Sequence, residues 1–189
     1  MKSSKNIDSS CGITNINTNS NARICYDGKG QEGFIAYADA DWASDPITRK
    51  SITGNIIKLA GGAVSWISRK QKTVALSSTE AEYMCLSDAA HQITWIESLF
   101  KEIGFNISNF ALCGDNQGGI FLALNPAVDG KSKHIDIKYH HIRECVLEKR
   151  IVLHFVPTTE QIADIMTKCL SYSDSKTVPV FGTFGLFVT

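Results

Sequence analysis

The chain has 189 residues, 43% of them hydrophobic and 20% charged, and its acidic and basic side chains balance to a net charge of zero. This composition predicts one globular domain with a hydrophobic core and excludes a disordered acidic chain. No apolar run approaches the roughly 20 residues that span a bilayer, and the first ten residues lack the apolar stretch of a signal peptide. We therefore expect no membrane contact and a place inside the cell, in the cytoplasm or nucleus.

Three segments follow from composition along the chain. Residues 1–30 are rich in Ser, Asn and Gly without apolar periodicity, which predicts a flexible linker. Residues 31–170 carry the periodic patterns of the folded domain, and residues 171–189 form a C-terminal tail without a regular pattern. The six dispersed cysteines are typical of small buried hydrophobic side chains rather than of zinc ligands or disulfides.

The elements of the domain begin with three predicted strands, in FIAYADADWA, SITGNIIKLA and AVSWIS. Ser77 and Glu80 fit a capping box that starts a long helix, and Gly104 ends it. A short strand at 110–114, a small helix at GGIFLAL, an amphipathic helix at 135–149, a strand at IVLHFVP and a helix at EQIADIMTKCL follow. The order βββαβααβα predicts an α/β domain: a five-stranded mixed sheet with helices on both faces.

Four carboxylates in separate short motifs carry the functional prediction: Asp39, Glu82, Asp115 and Asp164. Asp39 lies in a buried strand, Glu82 one turn into the long helix, and Asp115 just past the end of another strand. Any one buried acid is most simply a cap or an ion-pair partner. Four acids without a Lys or Arg adjacent in sequence are better explained by divalent cations, because clustered carboxylates otherwise raise each other's pKa.

Two Mg²⁺ ions about 4 Å apart can activate a water and stabilise the leaving 3′-oxygen of a phosphodiester. The acids therefore predict a metal-dependent nuclease. A basic stretch at 46–79 contains six Lys or Arg residues and no acid. It could follow a phosphate backbone, or it could be a solvated hairpin face.

The same residues resemble the ribonuclease H domain of Ty1/copia-type retrotransposon polyproteins. The resemblance covers about Gly33 to Leu170 and rests on YADADWASD, RKSITG, GGAVSWISRKQ, VALSSTEAEYM, DNQ, LNP, KHIDIKYHHIRE and VPTTEQIADIMTK. It implies a ribonuclease H-like fold and a hydrolase that cuts the RNA strand of RNA–DNA hybrids during reverse transcription, leaving 5′-phosphomonoesters. It also implies Mg²⁺ held by four catalytic acids: Asp39, Glu82, Asp115 and Asp164.

The resemblance implies a reverse transcriptase domain in the parent polyprotein as partner, and no small-molecule cofactor. The residues leading into Gly33 (ARICYDGKGQEG) resemble the tail of the segment that links the two domains, so we expect either the C-terminal piece of a longer product or a truncated reading frame. Asp41 and Glu80 are acidic neighbours of the implied site. Other ribonuclease H domains often carry a His before the last acid; here that loop, PTTEQIAD, offers Glu160 or Gln161 as substitutes.

Small polar groups beside the acids suit the 2′-hydroxyls of a hybrid minor groove: Ser78, Thr79, Asn116 and Gln117. Arg49, Lys50 and Trp42 could hold the phosphate backbone, although Ser78 and Thr79 also belong to the helix cap. Trp66 and Trp95 are expected in the core, and His154 as an ordinary strand histidine. A cluster of His134, His140 and His141 predicts a basic helix face, with zinc binding as the alternative.

Two other functions stay open on the sequence. The chain could be a catalytically inactive or domesticated retrotransposon fragment that binds nucleic acid or a polymerase. It could also be a nuclease of the integrase type, since that class shares the sheet. The Glu in the first long helix after three strands favours ribonuclease H.

Overall fold

The structure is a computed structural model that describes residues 33–107, 109–125 and 141–168. Its five strands are β1 (Ile35–Asp41), β2 (Ile52–Leu59), β3 (Gly62–Lys70), β4 (Phe110–Gly114) and β5 (Ile151–Phe155). Its helices are α1 (Ser78–Glu102), α2 (Gln117–Leu124), α3 (described over residues 141–147) and α4 (Asp164–Thr167), with a 3-10 turn at Thr158–Glu160. The predicted linker and tail lie outside the described residues and stay predictions.

The strands form one sheet in the order β3-β2-β1-β4-β5. β1, β2 and β3 pair antiparallel as a meander, whereas β4 pairs parallel with β1 and β5 parallel with β4. The predicted five-stranded mixed sheet is confirmed. The parallel pairings bring the carboxyl ends of β1, β4 and β5 to one edge of the sheet, which we call the carboxyl edge.

Helix α1 provides most of the core on one face of the sheet. Ser77 is its N-cap, and the Ser77 hydroxyl accepts a hydrogen bond from the backbone N–H of Glu80 at 3.1 Å. A carboxylate oxygen of Glu80 accepts a hydrogen bond from the backbone N–H of Leu76 at 2.8 Å. In a standard capping box the donor is the N–H of the N-cap residue itself, here Ser77. Buried apolar residues of α1 pack on alternate residues of β1, including Ala36 and Ala38.

Helix α4 covers the opposite face of the sheet, as predicted. Met166 forms a second, smaller core cluster with Ile56 of β2 and Ala63 of β3, while the neighbouring Ile57 belongs to the α1 side. The close approach of α4 depends on Gly54: a Cβ there would lie 2.6 Å from Thr167 Cγ2 and 2.8 Å from Met166 Cβ. Gly54 therefore brings the helix that carries Asp164 onto the sheet.

Two local predictions are wrong. The continuous last helix is instead a 3-10 turn followed by the four-residue α4, because the Gln161 side chain bonds to the Ala38 carbonyl (2.8 Å) and interrupts the helix. Trp66 and Trp95 are not in the core; they are 41% and 65% exposed. Trp66 lies on the edge strand β3, and Trp95 lines an open groove between α1 and β3, so both side chains stay partly exposed to solvent. None of the described helices is long and apolar enough to cross a membrane.

The close packing at Gly54 generates a stability prediction. We expect Gly54→Ala to lower the free energy of unfolding by about 1–3 kcal/mol, because the added methyl group overlaps backbone and Cβ atoms of α4 that cannot rotate away. Urea unfolding followed by circular dichroism measures the change.

Gly33→Ala is the matched control, since nothing lies within 4 Å of a Cβ at that position. Equal unfolding midpoints for the two variants would contradict the close contact between β2 and α4.

Candidate metal centre

Asp39 and Asp115 are brought together by the pairing of two parallel strands. Tyr37 of β1 lies opposite Cys113 of β4, so the residues two positions further on, Asp39 and Asp115, reach the carboxyl edge at the same level. Asp39 is 4% exposed because it lies opposite Gly54, beneath α4. Asp115 follows directly after β4 and is half-buried.

Glu82 reaches this edge from the first turns of α1. Its Oε1 accepts a hydrogen bond from the Ala40 N–H at 3.2 Å. The first turn of α2 packs against it: a Cβ at Gly119 would lie 3.3 Å from the Glu82 Cβ and 3.4 Å from the Tyr83 nitrogen. Asn116 caps α2 by accepting from the Gly119 N–H at 2.9 Å. The DNQGG segment thus fixes Asp115 beside Glu82. The sequence reasoning did not predict that its glycines allow this close contact between α2 and α1.

The structure gathers three of the four predicted acids into one cluster. Asp39, Glu82 and Asp115 each offer an oxygen, and these oxygens all lie within 4.8 Å of one another. Asp164 is not part of this set of three, but it begins α4 next to it and interacts electrostatically with Asp39 and Glu82. We name these four residues the acid cluster.

Burial dominates the electrostatics of the acid cluster. Burial raises the pKa of Asp39 to about 6; the charges of Asp164 and Asp115 add to the rise, and the Thr167 hydroxyl opposes it. Burial likewise raises the pKa of Glu82 to about 9, and the charge of Asp39 contributes. Without added positive charge, the folded protein therefore resists full ionisation of its own cluster.

The cluster fits a divalent cation. Glu82 Oε2 is buried without a hydrogen-bond partner among the described residues, although a buried carboxylate oxygen is costly to leave unpaired. Carboxylate oxygens are the ligands that Mg²⁺ and Mn²⁺ prefer. A bound cation would satisfy Glu82 and lower the pKa of both buried acids. Asp39, Glu82 and Asp115 are the residues that could hold it, with Asp164 beside them.

Three hydrogen-bond donors of the acid cluster were missed by the sequence reasoning. Thr158 donates its hydroxyl to Asp115 Oδ2 at 2.7 Å, Thr167 donates to Asp39 Oδ2, and Lys168 Nζ contacts Asp164 Oδ1 at 2.7 Å. Lys168 therefore lies beside Asp164 in space, although no Lys or Arg is adjacent in sequence to any of the four acids. The spacing of Lys168 four residues after Asp164 on a helix could have indicated that pair, whereas nothing in the sequence indicates Thr158.

The acidic neighbours lie outside the cluster. Glu80 is occupied at the cap of α1, and Asp41, at the end of β1, offers no oxygen to the group of three. In the loop before α4, Gln161 is buried and bonded to Ala38, which makes it a structural residue and not a mobile substitute for a histidine. Glu160 is exposed in the 3-10 turn.

The structure describes two of the four histidines that the sequence analysis singled out, His141 and His154. His141 stacks on His91 of α1 with ring centroids 4.3 Å apart, and its Nε2 lies 2.9 Å from the Thr94 hydroxyl. These contacts show His141 packed against α1. His134 and His140 lie outside the described residues, so the zinc alternative stays a prediction. His154 is exposed on β5.

The predicted substrate contacts lie around the same edge, and their role stays a prediction. Ser78 and Gln117 are exposed at the starts of α1 and α2, Thr79 is half-buried beside Gly118, and Asn116 caps α2.

The basic residues at 46–79 have two different environments in the structure. Lys70 pairs with Asp45 and Arg69 with Asp88 (2.9 Å), which suits a solvated face at those two positions. Arg49 is exposed and Lys50 half-buried in the β1–β2 turn. Trp42, in the same turn, is 47% exposed, and its indole N–H bonds to the Ala75 carbonyl at 3.1 Å.

The raised pKa values generate a prediction for the metal-free protein. In the unfolded chain the pKa of Asp is about 3.9 and that of Glu about 4.3. A carboxyl group whose pKa is higher in the folded state contributes stability that is fully present below the unfolded-state pKa. That contribution is lost as the pH rises through about 6 for Asp39 and about 9 for Glu82. We therefore expect stability in EDTA to fall from pH 5 to pH 9, and Asp39→Asn to be more stable than wild type at pH 8 by about 2 kcal/mol.

Urea unfolding at pH 5, 7 and 9 measures this dependence. Glu102→Gln, which removes an exposed carboxylate at the far end of α1, should follow the wild-type curve. An Asp39→Asn variant that is less stable than wild type at pH 8 would show that the buried charge of Asp39 does not destabilise the folded protein.

Relatives of the chain are transposon polyproteins. It is 39% identical over 132 residues to the retrovirus-related Pol polyprotein from transposon TNT 1-94 of Nicotiana tabacum, covering 70% of this chain and 10% of that protein. It is 41% identical over 138 residues to the Pol polyprotein from transposon RE2 of Arabidopsis thaliana, covering 72% of this chain and 9% of that protein. The chain thus spans about a tenth of the length of these relatives. No protein-family model matches it.

Solved structures with the same fold are ribonuclease H domains. LC11-RNase H1, isolated from compost, aligns with a TM-score of 0.54 at 16% identity, covering 71% of this chain and 91% of that one. The prototype foamy virus protease–reverse transcriptase aligns with a TM-score of 0.51 at 17% identity, covering 73% of this chain and 20% of that one. The predicted resemblance is confirmed: the chain is homologous to a segment of the Pol polyproteins of plant Ty1/copia-type transposons and has the ribonuclease H fold.

Proposed function

We propose that this chain is a metal-dependent endoribonuclease that cuts the RNA strand of RNA–DNA hybrids during reverse transcription of a retrotransposon. The observation that carries the proposal is the acid cluster: three carboxylates with oxygens within 4.8 Å and a buried, unpartnered oxygen on Glu82. Homology to Pol polyproteins supports the retrotransposon setting, and the ribonuclease H fold supports a nuclease.

The residues of the acid cluster would hold two Mg²⁺ or Mn²⁺ ions, with Asp39 and Glu82 as the buried ligands and Asp115 and Asp164 at the open side. Such ions supply a Lewis acid and a bound water of lowered pKa for attack on a phosphodiester, which leaves a 5′-phosphate and a 3′-hydroxyl. The protein contributes position: parallel strands fix Asp39 and Asp115, and the glycine-lined contact of α1 with α2 fixes Glu82. The proposed chemistry needs no His or Ser nucleophile.

The hybrid is the proposed substrate, in a proposed partnership with a reverse transcriptase domain. LC11-RNase H1 has also been crystallised in complex with an RNA/DNA hybrid, and the foamy virus protein joins its matching region to a reverse transcriptase. Ser78, Thr79, Asn116 and Gln117 surround the cluster and could read 2′-hydroxyls in the minor groove. Asn116 would use its amide nitrogen, because its oxygen caps α2. Arg49, Lys50 and Trp42 would face the backbone from the β1–β2 turn.

We expect Asp39→Asn, Glu82→Gln and Asp115→Asn each to lower the rate of hybrid cleavage in Mg²⁺ by at least about 100-fold, because each removes a charged ligand. A labelled hybrid and a gel assay measure the rate. Asp41→Asn and Glu80→Gln are matched controls that should retain activity, since neither carboxylate belongs to the cluster. Wild-type rates in the Asp39 and Asp115 variants would refute the mechanism.

Substrate choice separates the competing functions. We expect wild type to cut the RNA strand of a hybrid and to leave duplex RNA and duplex DNA intact, because only the hybrid combines 2′-hydroxyls on one strand with a DNA strand opposite. EDTA should abolish cleavage. Binding of the hybrid without cleavage, in Mg²⁺ and in Mn²⁺, would instead identify an inactive nucleic-acid-binding fragment, and cleavage of duplex DNA would favour the integrase type.

A further inference from the structure

The segment 158–168 contributes a hydrogen-bond donor to each of three acids in the cluster. Thr158 holds Asp115 (2.7 Å), Thr167 holds Asp39, and Lys168 holds Asp164 (2.7 Å). Glu82 receives its bond from the Ala40 backbone instead, and its second oxygen has no partner among the described residues. Three of the four acids are thus held from one short segment of the chain.

Lys168 differs from the two threonines because it carries charge. Its ammonium group interacts electrostatically with Asp39 and Asp115 as well as bonding to Asp164. It therefore provides a positive charge beside the acid cluster, where divalent cations are proposed to bind. Asp164 has further anchors that do not need the Lys168 side chain: its N–H bonds to the Gln161 carbonyl (3.3 Å), and its carbonyl accepts the backbone N–H of residue Lys168 at 3.0 Å.

We propose that Lys168 is an internal counter-ion of the acid cluster that competes with the divalent cation, whereas Thr158 and Thr167 are positioning residues that orient Asp115 and Asp39 for it. The proposal rests on the proposed function, since it presumes a metal at this cluster. It gives the C-terminal segment a role in setting metal affinity that goes beyond carrying Asp164.

The two parts of the proposal predict opposite effects on metal affinity. A positive charge near a cation site weakens cation binding through Coulomb repulsion, and salt screens that effect. A hydroxyl donor occupies one of about four lone-pair sites of a carboxylate and leaves the others free for the metal. Removing the hydroxyl therefore frees no lone pair that the metal requires, but it allows the carboxylate to rotate away from the orientation in which it binds the metal.

Calorimetric titration of the metal-free protein with Mg²⁺ alone tests both parts. We expect Lys168→Gln to bind Mg²⁺ about fivefold more tightly than wild type at low salt, with the gain shrinking at high salt. Lys168→Arg should stay near wild type because it keeps the charge. Thr158→Val and Thr167→Val should bind about threefold more weakly at either salt concentration, and Thr158→Ser should restore the affinity.

Lys101→Gln is the matched control, because it removes the same charge from the last turn of α1, about five turns of helix from Glu82. Circular dichroism verifies that each variant folds. Equal or weaker Mg²⁺ binding by Lys168→Gln would overturn the counter-ion role while leaving the nuclease proposal intact. If wild type itself binds no Mg²⁺, the proposed function is wrong and this inference falls with it.

Discussion

Burial of negative charge at the carboxyl edge of the sheet is the constraint on which the rest of this structure depends. Asp39 and Glu82 are 4% and 6% exposed, although isolated carboxylates are expensive to remove from water. The Ala40 N–H, the Thr167 hydroxyl and the charge of Lys168 offset part of this cost. Burial also raises the pKa of both carboxyl groups, so that each is protonated more readily than in water. Such a site is poised to bind a cation, because a cation relieves the strain that folding creates.

Much of the packing around the site reflects this constraint. Gly54 lets α4 lie close to β2, and Gly119 lets α2 lie close to α1, so that carboxylates from four elements reach one place. Both glycines are required by close approach rather than by an unusual backbone angle. The large core between α1 and the sheet holds the frame, while the smaller cluster around Met166 holds the helix that closes the site.

The thiol of Cys85 shows how tightly this region is packed. It lies one turn after Glu82, and its sulfur is 3.0 Å from the Asp39 carbonyl oxygen and 3.1 Å from Asn55 Oδ1, so these two acceptors share its single S–H donor. Burial raises the pKa of this thiol well above its ordinary value, so it stays protonated and acts as a small hydrogen-bond donor. The backbone that carries Asp39 is thereby bonded to α1 as well as to its neighbouring strands.

Local signals were enough to predict the strand order along the chain and the long helix, because strand alternation and helix capping are encoded by neighbouring residues. The Asp- and Glu-containing motifs likewise pointed to Asp39, Glu82 and Asp115, which the structure gathers. The exposure of Trp66 and Trp95 was not predictable in this way, since apolar size says nothing about whether other elements cover a side chain. The sequence reasoning also misjudged the last helix, where the Gln161 side chain takes a backbone partner on β1 that is distant in sequence.

The polar groups that contact the acids could be identified only from the folded structure. Thr158 and Asp115 are 43 positions apart, and Thr167 and Asp39 are 128 positions apart. Strand register and the closeness of α4 to Gly54 bring them together, and no local pattern encodes either.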